Sequence, residues 1–308
     1  METIIITGAT SFIGIHLLKK MLTLNIKVYV VVRPKSKNIH RVEEYQKFEN
    51  MNLILLDMKD ILHISEYIKD KVDCIYHLAW EGTRLPYRDD QKIQKENYNQ
   101  TVELFQAAVQ LGVRKFIVTG SQAEYGKMHG KLDEEFQCNP ETQYGKYKLA
   151  AYYTLKKIAE EENICLIWAR IFSVYGIYDS PNSLVMSCIH KMQRNEKMDL
   201  TECKQNWDYL NVNDLVEVLN RFGKLNCRGG IYNVASGISK PLFEYVETIK
   251  KVLGSSSNLG FGNICNSSEG SINMEPNVEK IKKELKWNAS TPFDQGILEI
   301  STILKNNV

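Results

Sequence analysis

The sequence predicts an α/β fold built on a doubly wound parallel sheet, and three observations support this. Short apolar runs alternate along the chain with longer segments of helical periodicity. The runs are continuously apolar, which is typical of parallel strands buried on both faces. The 308 residues, 44% of them hydrophobic, are enough for a large core in one domain or two closely packed domains. Because crossovers between parallel strands are right-handed, we expect helices on both faces of the sheet.

Six strands are predicted in the first 170 residues, each a short run of β-branched and aliphatic side chains. They cover residues 3–7, 27–32, 53–56, 74–79, 115–120 and 165–170. Helical spacing follows the first strand, where Ile13, Leu17 and Met21 recur, and returns over 97–112 and 144–161. This order of strands and helices is that of a Rossmann-like domain.

The pattern becomes irregular after Arg170. Residues 254–271 are rich in Gly and Ser and are predicted to form a loop with a short strand. Helical spacing returns over residues 182–194, 213–222, 242–253 and 277–285. We therefore predict a Rossmann domain over 1–170, to which 207–237 return, and a smaller C-terminal lobe from 171–206 and 238–308. The lobe is expected to cover the C-terminal edge of the sheet, where ligands bind in such folds.

Composition and charge narrow the class of partner. The 39 basic and 37 acidic residues give a net charge of +2 without a basic block, so nucleic acid is not an expected partner. No apolar run approaches the roughly 20 residues that cross a bilayer, and the N-terminus lacks the pattern of a signal peptide. Seven cysteines and six histidines are dispersed, which favours reduced thiols and no metal site. These features predict a cytoplasmic protein.

The first predicted strand runs directly into the sequence TGATSFIG, which opens a helix. Backbone N–H groups at such a helix N-terminus bind a pyrophosphate; Gly8 permits the tight turn and Gly14 permits close helix–sheet packing. Ser11 stands where glycine is usual, so its Cβ would crowd the phosphate while its hydroxyl could donate to it. An ordinary strand–turn–helix is the alternative, but the place of the loop in the chain favours dinucleotide binding. The loop residues expected at the cofactor are Gly8, Thr10, Ser11, Phe12, Ile13 and Gly14.

The turn after the second strand indicates which dinucleotide is bound. An acidic side chain there would bind the ribose 2′-hydroxyl of NAD, but the sequence is RPKSK. The cations and hydroxyl of this turn suit a 2′-phosphate instead, which favours NADP and leaves NAD possible. They are Arg33, Lys35, Ser36 and Lys37. The alternative is a solvated basic turn.

Tyr144 and Lys148 are four residues apart at the start of a predicted helix, so they project from one face, whereas Lys146 does not. An ammonium about 4 Å from the phenol, at an effective dielectric of about 20, would contribute roughly 4 kcal/mol and bring the pKa of Tyr144 toward neutrality. Ser121, just past the fifth strand, could fix the substrate oxygen. Taken alone, Tyr144 and Lys148 could be an ordinary surface pair, and Ser121 could be an ordinary turn serine. Together with the phosphate loop they predict a proton-transfer site.

These motifs resemble the extended short-chain dehydrogenase/reductases, in the NAD-dependent epimerase/dehydratase family of sugar-nucleotide enzymes. TGATSFIG, YHLAW, RIFSVYG, QNWDYLNVNDL and LKWNASTPFDQGI are each similar to a family motif, and together they extend along nearly the whole chain. The resemblance implies that Ser121, Tyr144 and Lys148 are catalytic and that Lys148 also binds the nicotinamide ribose. The other cofactor contacts that it implies are Asp57, Met58, Leu78, Ala79 and Asn97.

One departure from the family pattern bears on the reaction. Dehydratases follow the active-site hydroxyl with Asp-Glu, as acid and base for the loss of water. Here Gln122 and Ala123 follow Ser121, and Glu124, one position further on, is a poor substitute. Dehydration is therefore disfavoured.

Further departures bear on the substrate. Trp207 stands where an arginine usually binds the substrate diphosphate, and tryptophan cannot form that ion pair. Arg170, Lys191 or Arg194 could supply the missing charge. Ser173 stands where an asparagine is usual. The residues expected at the substrate, which would lie under the C-terminal lobe, are Trp80, Gln122, Ser173 and Trp207.

The first functional hypothesis is a ketoreductase that reduces the C4 keto group of a nucleotide-activated deoxysugar with hydride from NADPH and a proton from Tyr144. The second is a nucleotide-sugar 4-epimerase with tightly bound NAD(P). A reductase of a non-nucleotide carbonyl and a non-catalytic, NADP-sensing protein also stay open. The resemblance also implies a homodimer, formed through the helices after the fourth and fifth strands. Its contacts, which could equally be sheet-packing residues, are Leu104, Phe105, Ala108, Val109, Tyr152, Tyr153 and Ile158.

Overall fold

The computed structural model describes residues 2–127, 130–265 and 273–306. The chain forms two compact units, each assembled from several segments. The first unit comprises Met1–Gly126, Phe136–Ile171 and Val216–Tyr232. The second unit comprises Lys127–Glu135, Phe172–Leu215 and Asn233–Val308.

Strands and helices alternate through the first unit and mix less regularly in the second. The strands are β1 Thr3–Thr7, β2 Lys27–Val32, β3 Met51–Leu55, β4 Cys74–His77, β5 Lys115–Ser121, β6 Lys131–Leu132, β7 Cys165–Ile171, β8 Ser173–Tyr175, β9 Met198–Leu200, β10 Asn206–Asn211, β11 Gly230–Val234, β12 Ser239–Pro241, β13 Leu259–Phe261 and β14 Glu275–Pro276. The helices are α1 Phe12–Thr23, α2 His40–Glu43, α3 Gln91–Gln110, α4 Gln143–Glu162, α5 Leu184–Gln193, α6 Val212–Lys224, α7 Leu242–Leu253, α8 Glu279–Leu285 and α9 Phe293–Asn306. Short 3-10 helices cover Met58–Tyr67, Tyr87–Asp89 and Gln122–Glu124.

A seven-stranded sheet in the order β11-β7-β5-β4-β1-β2-β3 dominates the chain, and the predicted α/β fold class is confirmed. The six predicted strands pair in parallel within it. Ile4, Ile5 and Ile6 of β1 are fully buried, as expected for a strand covered on both faces. The strand order reverses between β1 and β4, and a crevice therefore opens at their carboxyl ends.

Side-chain caps set the bounds of the helices that flank this crevice. Asp90 accepts hydrogen bonds from the N–H groups of Lys92 and Ile93, so α3 begins earlier than the predicted start at residue 97. Thr142 accepts from Gly145 N–H and begins α4. Asn163, in the left-handed conformation with φ 55°, ends α4.

The second unit is built around β10, which pairs in parallel with β8 and antiparallel with β12. Its core contains Tyr175, Met186 and Ile189, together with Tyr245 and Ile297 from the helices that follow. β9 pairs with β13, which is the short strand predicted within 254–271; residues 266–271 of that loop lie outside the described residues.

The two units differ from the predicted domains in three segments and at one residue. Residues 233–237 belong to the second unit, and Ile171 belongs to the first. Residues 207–215 belong to the second unit, because β10 pairs with β8 and β12 and has no place in the large sheet. Lys127–Glu135 also belong to the second unit, where β6 pairs with β14. Within the described residues, no helix is both long and apolar enough to cross a membrane.

Candidate active site

The turn between β1 and α1 can be formed only by glycine at its two ends. Gly8 has φ +76°, and a Cβ there would lie 2.6 Å from the backbone nitrogen of Ala79 at the end of β4. A Cβ on Gly14 would lie 2.1 Å from the carbonyl oxygen of Gly8. The first turn of α1 therefore rests directly on the loop, which is the close packing that the sequence predicted.

Ser11 is the N-cap of α1. Its backbone is extended, with φ −76° and ψ 170°, and its Oγ accepts a hydrogen bond from Gly14 N–H at 3.2 Å. The hydroxyl thus stabilises the helix start and still has its own proton to donate. The first turn of α1 carries no acidic residue, so the helix N-terminus favours an anion.

A cavity of about 340 Å³ lies at the crevice beside this turn. Ten of the predicted cofactor residues line it: Gly8, Thr10, Ser11, Arg33, Lys37, Asp57, Met58, Leu78, Ala79 and Asn97. Its walls, all within the described residues, do not include Phe12, Ile13 and Gly14 of α1, or Tyr144 and Lys148 of α4. Trp80, which was predicted to contact substrate, lines the cavity as well.

Cations and hydroxyls gather where the cavity meets the end of β2. Arg33 Nη1 lies 3.1 Å from Glu81 Oε2 in a half-exposed ion pair. Ser36 Oγ lies 3.4 Å from Thr10 Oγ1, and Arg41 Nη1 donates to the Thr10 carbonyl oxygen at 3.2 Å. Sequence reasoning missed Arg41 because α2, which brings it back to the phosphate loop, was not predicted.

Two buried amides of α3 shape the loop after β4. Asn97 accepts from Glu81 N–H at 2.8 Å and donates to the Glu81 carbonyl at 2.9 Å. Gln94 donates to the carbonyl of Gly82 at 2.8 Å and accepts from Trp80 Nε1 at 2.7 Å. Asn97 therefore holds the backbone of Glu81, which forms part of the cavity wall. Gln94, which carried no motif, was missed by sequence reasoning.

Ser121 ends β5 and begins the 3-10 turn Gln122–Glu124. Its Oγ accepts from Ala123 N–H at 3.2 Å and donates to Gln122 Oε1 at 3.3 Å. Its hydroxyl also lies near the Tyr144 phenol and lowers the pKa of that phenol. A Cβ on Gly145 would lie 2.3 Å from the Ala123 carbonyl, so glycine lets α4 approach the turn closely enough for this contact.

Lys148 is buried beneath Trp80 and is 2% exposed. Its Nζ donates to the Thr119 carbonyl at 2.7 Å, lies 3.8 Å from the centre of the Trp80 ring and lies 6.0 Å from the centre of the Tyr144 ring. Burial lowers the pKa of Lys148 from 10.5 to about 7, although the charge of Glu124 opposes the shift. Lys146, as predicted, points away and is exposed.

The prediction that Lys148 lowers the pKa of Tyr144 toward neutrality is wrong: the protein raises this pKa. Burial raises the pKa of Tyr144, and the Ser121 hydroxyl lowers it only in part; Glu124 raises it further and Arg88 lowers it. The physical reason is that the site excludes water from both side chains, which disfavours a phenolate as well as an ammonium. Arg88, whose guanidinium lies 5.1 Å from the centre of the Tyr144 ring, was missed because its loop carries no motif.

Glu124 is fully buried below this site. Its carboxylate accepts from Ser121 N–H at 2.7 Å and from Arg170 Nε at 2.7 Å. The carboxylate is fully buried and ion-paired with Arg170, so it is not exposed at the crevice where a substrate would bind. Arg170 is ion-paired with this carboxylate, and its side chain is 2% exposed, so it is shielded from a phosphate in solution.

The other predicted substrate residues lie in the second unit. Ser173 Oγ donates to Met274 Sδ at 3.7 Å. Trp207 lies opposite Lys240 in the β10–β12 pair, and within the described residues its buried Nε1 has no hydrogen-bond partner. Lys240 Nζ lies 4.4 Å from the centre of the Tyr245 ring. Arg194 is paired with Glu196 at 2.5 Å, whereas Lys240 lies directly opposite the position of the missing arginine in the β10–β12 register.

Comparisons with known proteins agree with this arrangement. The model of the NAD dependent epimerase/dehydratase family matches residues 4–235. The chain is 26% identical over 305 residues to CDP-abequose synthase of Salmonella muenchen, with 96% of each covered. It is 25% identical over 304 residues to dTDP-4-dehydro-6-deoxyglucose reductase of Escherichia coli, covering 96% of this chain and 95% of the reductase.

Solved structures share the fold. The UDP-N-acetylglucosamine 4-epimerase from Methanobrevibacter ruminantium M1 superposes with a TM-score of 0.89 at 19% identity, covering 100% of this chain and 99% of the other. The UDP-glucuronic acid 4-epimerase from Bacillus cereus, solved in complex with UDP-glucuronic acid and NAD, superposes with a TM-score of 0.86 at 19% identity, covering 99% and 100%.

Proposed function

The chain belongs to the NAD dependent epimerase/dehydratase family, and we propose that it is a ketoreductase that reduces the C4 keto group of a nucleotide-activated deoxysugar with NADPH. The observation that carries the proposal is the placement of Ser121, Tyr144 and Lys148 together at the carboxyl end of β5. Lys148 Nζ donates to the Thr119 carbonyl at 2.7 Å, and burial raises the pKa of Tyr144, which favours the protonated phenol. A reductase needs a proton donor at the start of its reaction. An epimerase or dehydrogenase needs a base there.

The proposed chemistry assigns one task to each side chain. A bound NADPH would supply the hydride to the carbonyl carbon. Tyr144 donates its proton to the carbonyl oxygen while Ser121 hydrogen-bonds the same oxygen, and the product is an alcohol. Lys148, with a pKa of about 7, can be either protonated or neutral at physiological pH and can therefore return a proton to the phenolate.

The cavity residues fit a dinucleotide. Gly8, Gly14 and the N-terminus of α1 suit a pyrophosphate, since a side chain at either glycine would strike backbone and the helix start attracts anions. Arg33, Lys37 and Arg41 supply positive charge at the end of β2, which supports a 2′-phosphate and hence NADP.

The substrate class is inferred from the relatives and from the second unit. Both relatives described above are named for nucleotide-activated deoxysugars and align over nearly the whole chain. Trp207 would stack on the sugar or base, and Lys240 would replace the family's arginine on the diphosphate. Trp80, Gln122 and Ser173 remain proposed contacts with the substrate.

An epimerase is the second candidate. The ADP-L-glycero-D-manno-heptose-6-epimerase of Brachyspira hyodysenteriae is 26% identical over 273 residues, covering 82% of each chain, so relatives of similar identity include both activities. The groups at the reacting carbon would be the same, because an epimerase oxidises and then reduces the sugar again.

Turnover of the cofactor separates the candidates. The purified protein is incubated with NADPH and with CDP-, dTDP-, UDP- and GDP-linked 4-keto-6-deoxysugars, while nicotinamide absorbance and the sugar NMR spectrum are followed. Net loss of NADPH with formation of a C4 alcohol is the expected result. Interconversion of sugars without net loss of NADPH would indicate an epimerase, reduction of simple carbonyls alone would exclude a nucleotide substrate, and binding without turnover would support an NADP sensor.

A further inference from the structure

The carboxylate of Glu124 is the most heavily hydrogen-bonded charged group beneath the site. It accepts from Ser121 N–H and from Arg170 Nε, and Trp168 Nε1 lies 2.9 Å from Oε1 and 3.0 Å from Oε2. The carboxylate is fully buried, and its ion-pair partner Arg170 is 1% exposed. Burial of such a pair is costly unless hydrogen bonds compensate for the lost water. The carboxylate has four such contacts, whereas within the described residues the buried Nη1 of Arg170 has no hydrogen-bond partner.

The surrounding backbone leaves space for this cluster. A Cβ on Gly120 would lie 2.3 Å from Trp168 Nε1 and 2.8 Å from Glu124 Oε1, so any larger residue would displace both. The guanidinium of Arg170 lies 4.4 Å from the centre of the Tyr125 ring, which holds it in place from the other side. These contacts fix the carboxylate at the carboxyl end of β5.

The same carboxylate acts on all three residues proposed to be catalytic. Its hydrogen bond to Ser121 N–H closes a capping box with the bond from Ala123 N–H to Ser121 Oγ, and this fixes the direction of the hydroxyl. Its negative charge raises the pKa of Lys148 against the effect of burial, and it raises the pKa of Tyr144. The titratable groups that act on or are acted on by Lys148 are Glu124 from the 3-10 turn, His77 from β4 and Tyr144 from its own helix.

We propose that Glu124 is a positioning residue that holds the Ser121 hydroxyl in place and supplies the buried negative charge that allows Lys148 to carry a proton inside the site. The kinetic part of this inference rests on the proposed function. The electrostatic part concerns only groups of the protein and can be tested without substrate.

Substitution E124Q keeps an oxygen that accepts from Ser121 N–H and removes the charge. In protein with 13C-labelled lysine, NMR titration should show the pKa of Lys148 falling by about one unit or more. E217Q is the matched control, because Glu217 also pairs with an arginine, Arg221 at 3.0 Å, but is half exposed on α6. The Lys148 signal is assigned with K148R. An unchanged Lys148 titration in folded E124Q would overturn the electrostatic role.

Should E124Q fail to fold because Arg170 is left unpaired, the double variant E124Q/R170M is compared with R170M, so that the two proteins differ only in the carboxylate charge. E124D tests positioning, since it keeps the charge but shortens the reach to Ser121. With keto-sugar and NADPH, kcat should fall about tenfold or more in E124D with little change in KM, because Ser121 acts in the transition state. If the kcat of E124D equals that of the wild type, Glu124 has no positioning role.

The outcomes of the two proposals are distinguishable. If the wild-type protein reduces no keto-sugar but E124Q shifts the Lys148 titration, the proposed function is wrong and the electrostatic role of Glu124 is supported. Robust keto-sugar reduction with identical titrations and pH–rate profiles in wild type and E124Q sinks the role of Glu124 alone.

Discussion

At the scale of single residues, the chemistry of the site depends on how burial sets the protonation of two neighbouring side chains. Burial raises the pKa of Tyr144 and lowers that of Lys148 to about 7, so both groups favour their neutral forms. A neutral phenol is a proton donor, and an amine that titrates near neutrality can exchange its proton in either direction. These are the states that reduction of a ketone requires at its start.

Tyr144→Phe tests the proton donor. The variant removes one oxygen from a buried ring and keeps the packing against Trp80, whose ring centre lies 6.2 Å away. Turnover should fall about 10²–10⁴-fold, because proton donation is lost, while NADPH affinity measured by fluorescence titration stays near that of the wild type. Wild-type turnover in the variant would remove Tyr144 from the mechanism. Tyr147→Phe, on the same helix, is the control.

Arg33 and Glu81 give a paired prediction about the cofactor. Arg33→Ala should weaken NADPH by about 10–100-fold and NADH much less, because a charge-assisted contact with the 2′-phosphate is lost. Glu81→Gln should have the opposite effect and raise the affinity for NADPH by up to about fivefold, because Arg33 is released from a half-exposed ion pair. Calorimetric titration with both cofactors checks this. Equal weakening of NADPH and NADH by Arg33→Ala would contradict a 2′-phosphate site.

Lys148→Met should stabilise the protein while abolishing turnover. Between about pH 7 and its ordinary pKa of 10.5, Lys148 binds fewer protons in the folded chain than in the unfolded chain. The free energy of unfolding therefore rises with pH across that window, and below it the full cost of charging a buried amine remains. Removing the amine should raise the free energy of unfolding by roughly 1–3 kcal/mol at pH 7, after allowance for the lost hydrogen bond to the Thr119 carbonyl. The increase of this free energy with pH should also become smaller. Denaturant unfolding from pH 6 to 10 measures both effects, and a destabilised variant with an unchanged slope would contradict them.

At the scale of secondary-structure elements, the site depends on contact between the start of α4 and the 3-10 turn that ends β5. Gly145 allows this contact because it has no Cβ to strike the Ala123 carbonyl. Tyr144 precedes Gly145 and Ser121 precedes the turn, so the closeness of the two elements sets the distance between their hydroxyls. The helix thus contributes to catalysis through its placement as well as through the side chains it carries.

Gly145→Ala should therefore separate Ser121 from Tyr144. The new methyl group would have to displace α4 by part of an ångström, and a cost of about 1–3 kcal/mol is expected from overpacking. Turnover should fall at least tenfold, with NADPH binding little changed because the cavity is lined by other elements. Lys146→Ala, an exposed change one residue further along α4, is the control. Unimpaired turnover in Gly145→Ala would show that this approach is not needed.

Apolar periodicity was sufficient to predict six of the seven strands of the large sheet and the helices that flank the crevice, because each carries a continuous or one-sided apolar pattern. It did not predict α9, whose buried Ile297 and Ile300 alternate with exposed Leu298 and Ile303 and blur the helical stripe. It missed β11, a short run that begins at Gly230 and contains Asn233. Spacing also placed Tyr144 beside Lys148 but could not predict the direction of their pKa shifts, because burial depends on residues distant in sequence such as Trp80.

At the scale of the whole molecule, the expected homodimer depends on which residues of α3 and α4 the fold has already used. Leu104, Phe105 and Ala108 are fully buried, and Tyr152 is 7% exposed, so these belong to the core of the first unit. The sequence could not separate them from surface residues because both sets share the same helical spacing. Of the residues predicted to form the interface, Tyr153 is the large exposed one, at 59%.

Tyr153→Glu should therefore change the oligomeric state, provided that the outer faces of α3 and α4 meet their counterparts in a second copy. A carboxylate at a buried interface without a partner would cost several kcal/mol, which is enough to shift a micromolar dimer to monomer. Light scattering coupled to size exclusion should report a dimer for the wild type and a monomer for the variant. Glu103→Gln on α3, a smaller change on the same pair of helices, should leave the dimer intact. If Tyr153→Glu stays dimeric, the copies associate through another surface, because an exposed tyrosine can be replaced by glutamate at little cost only where no partner covers it.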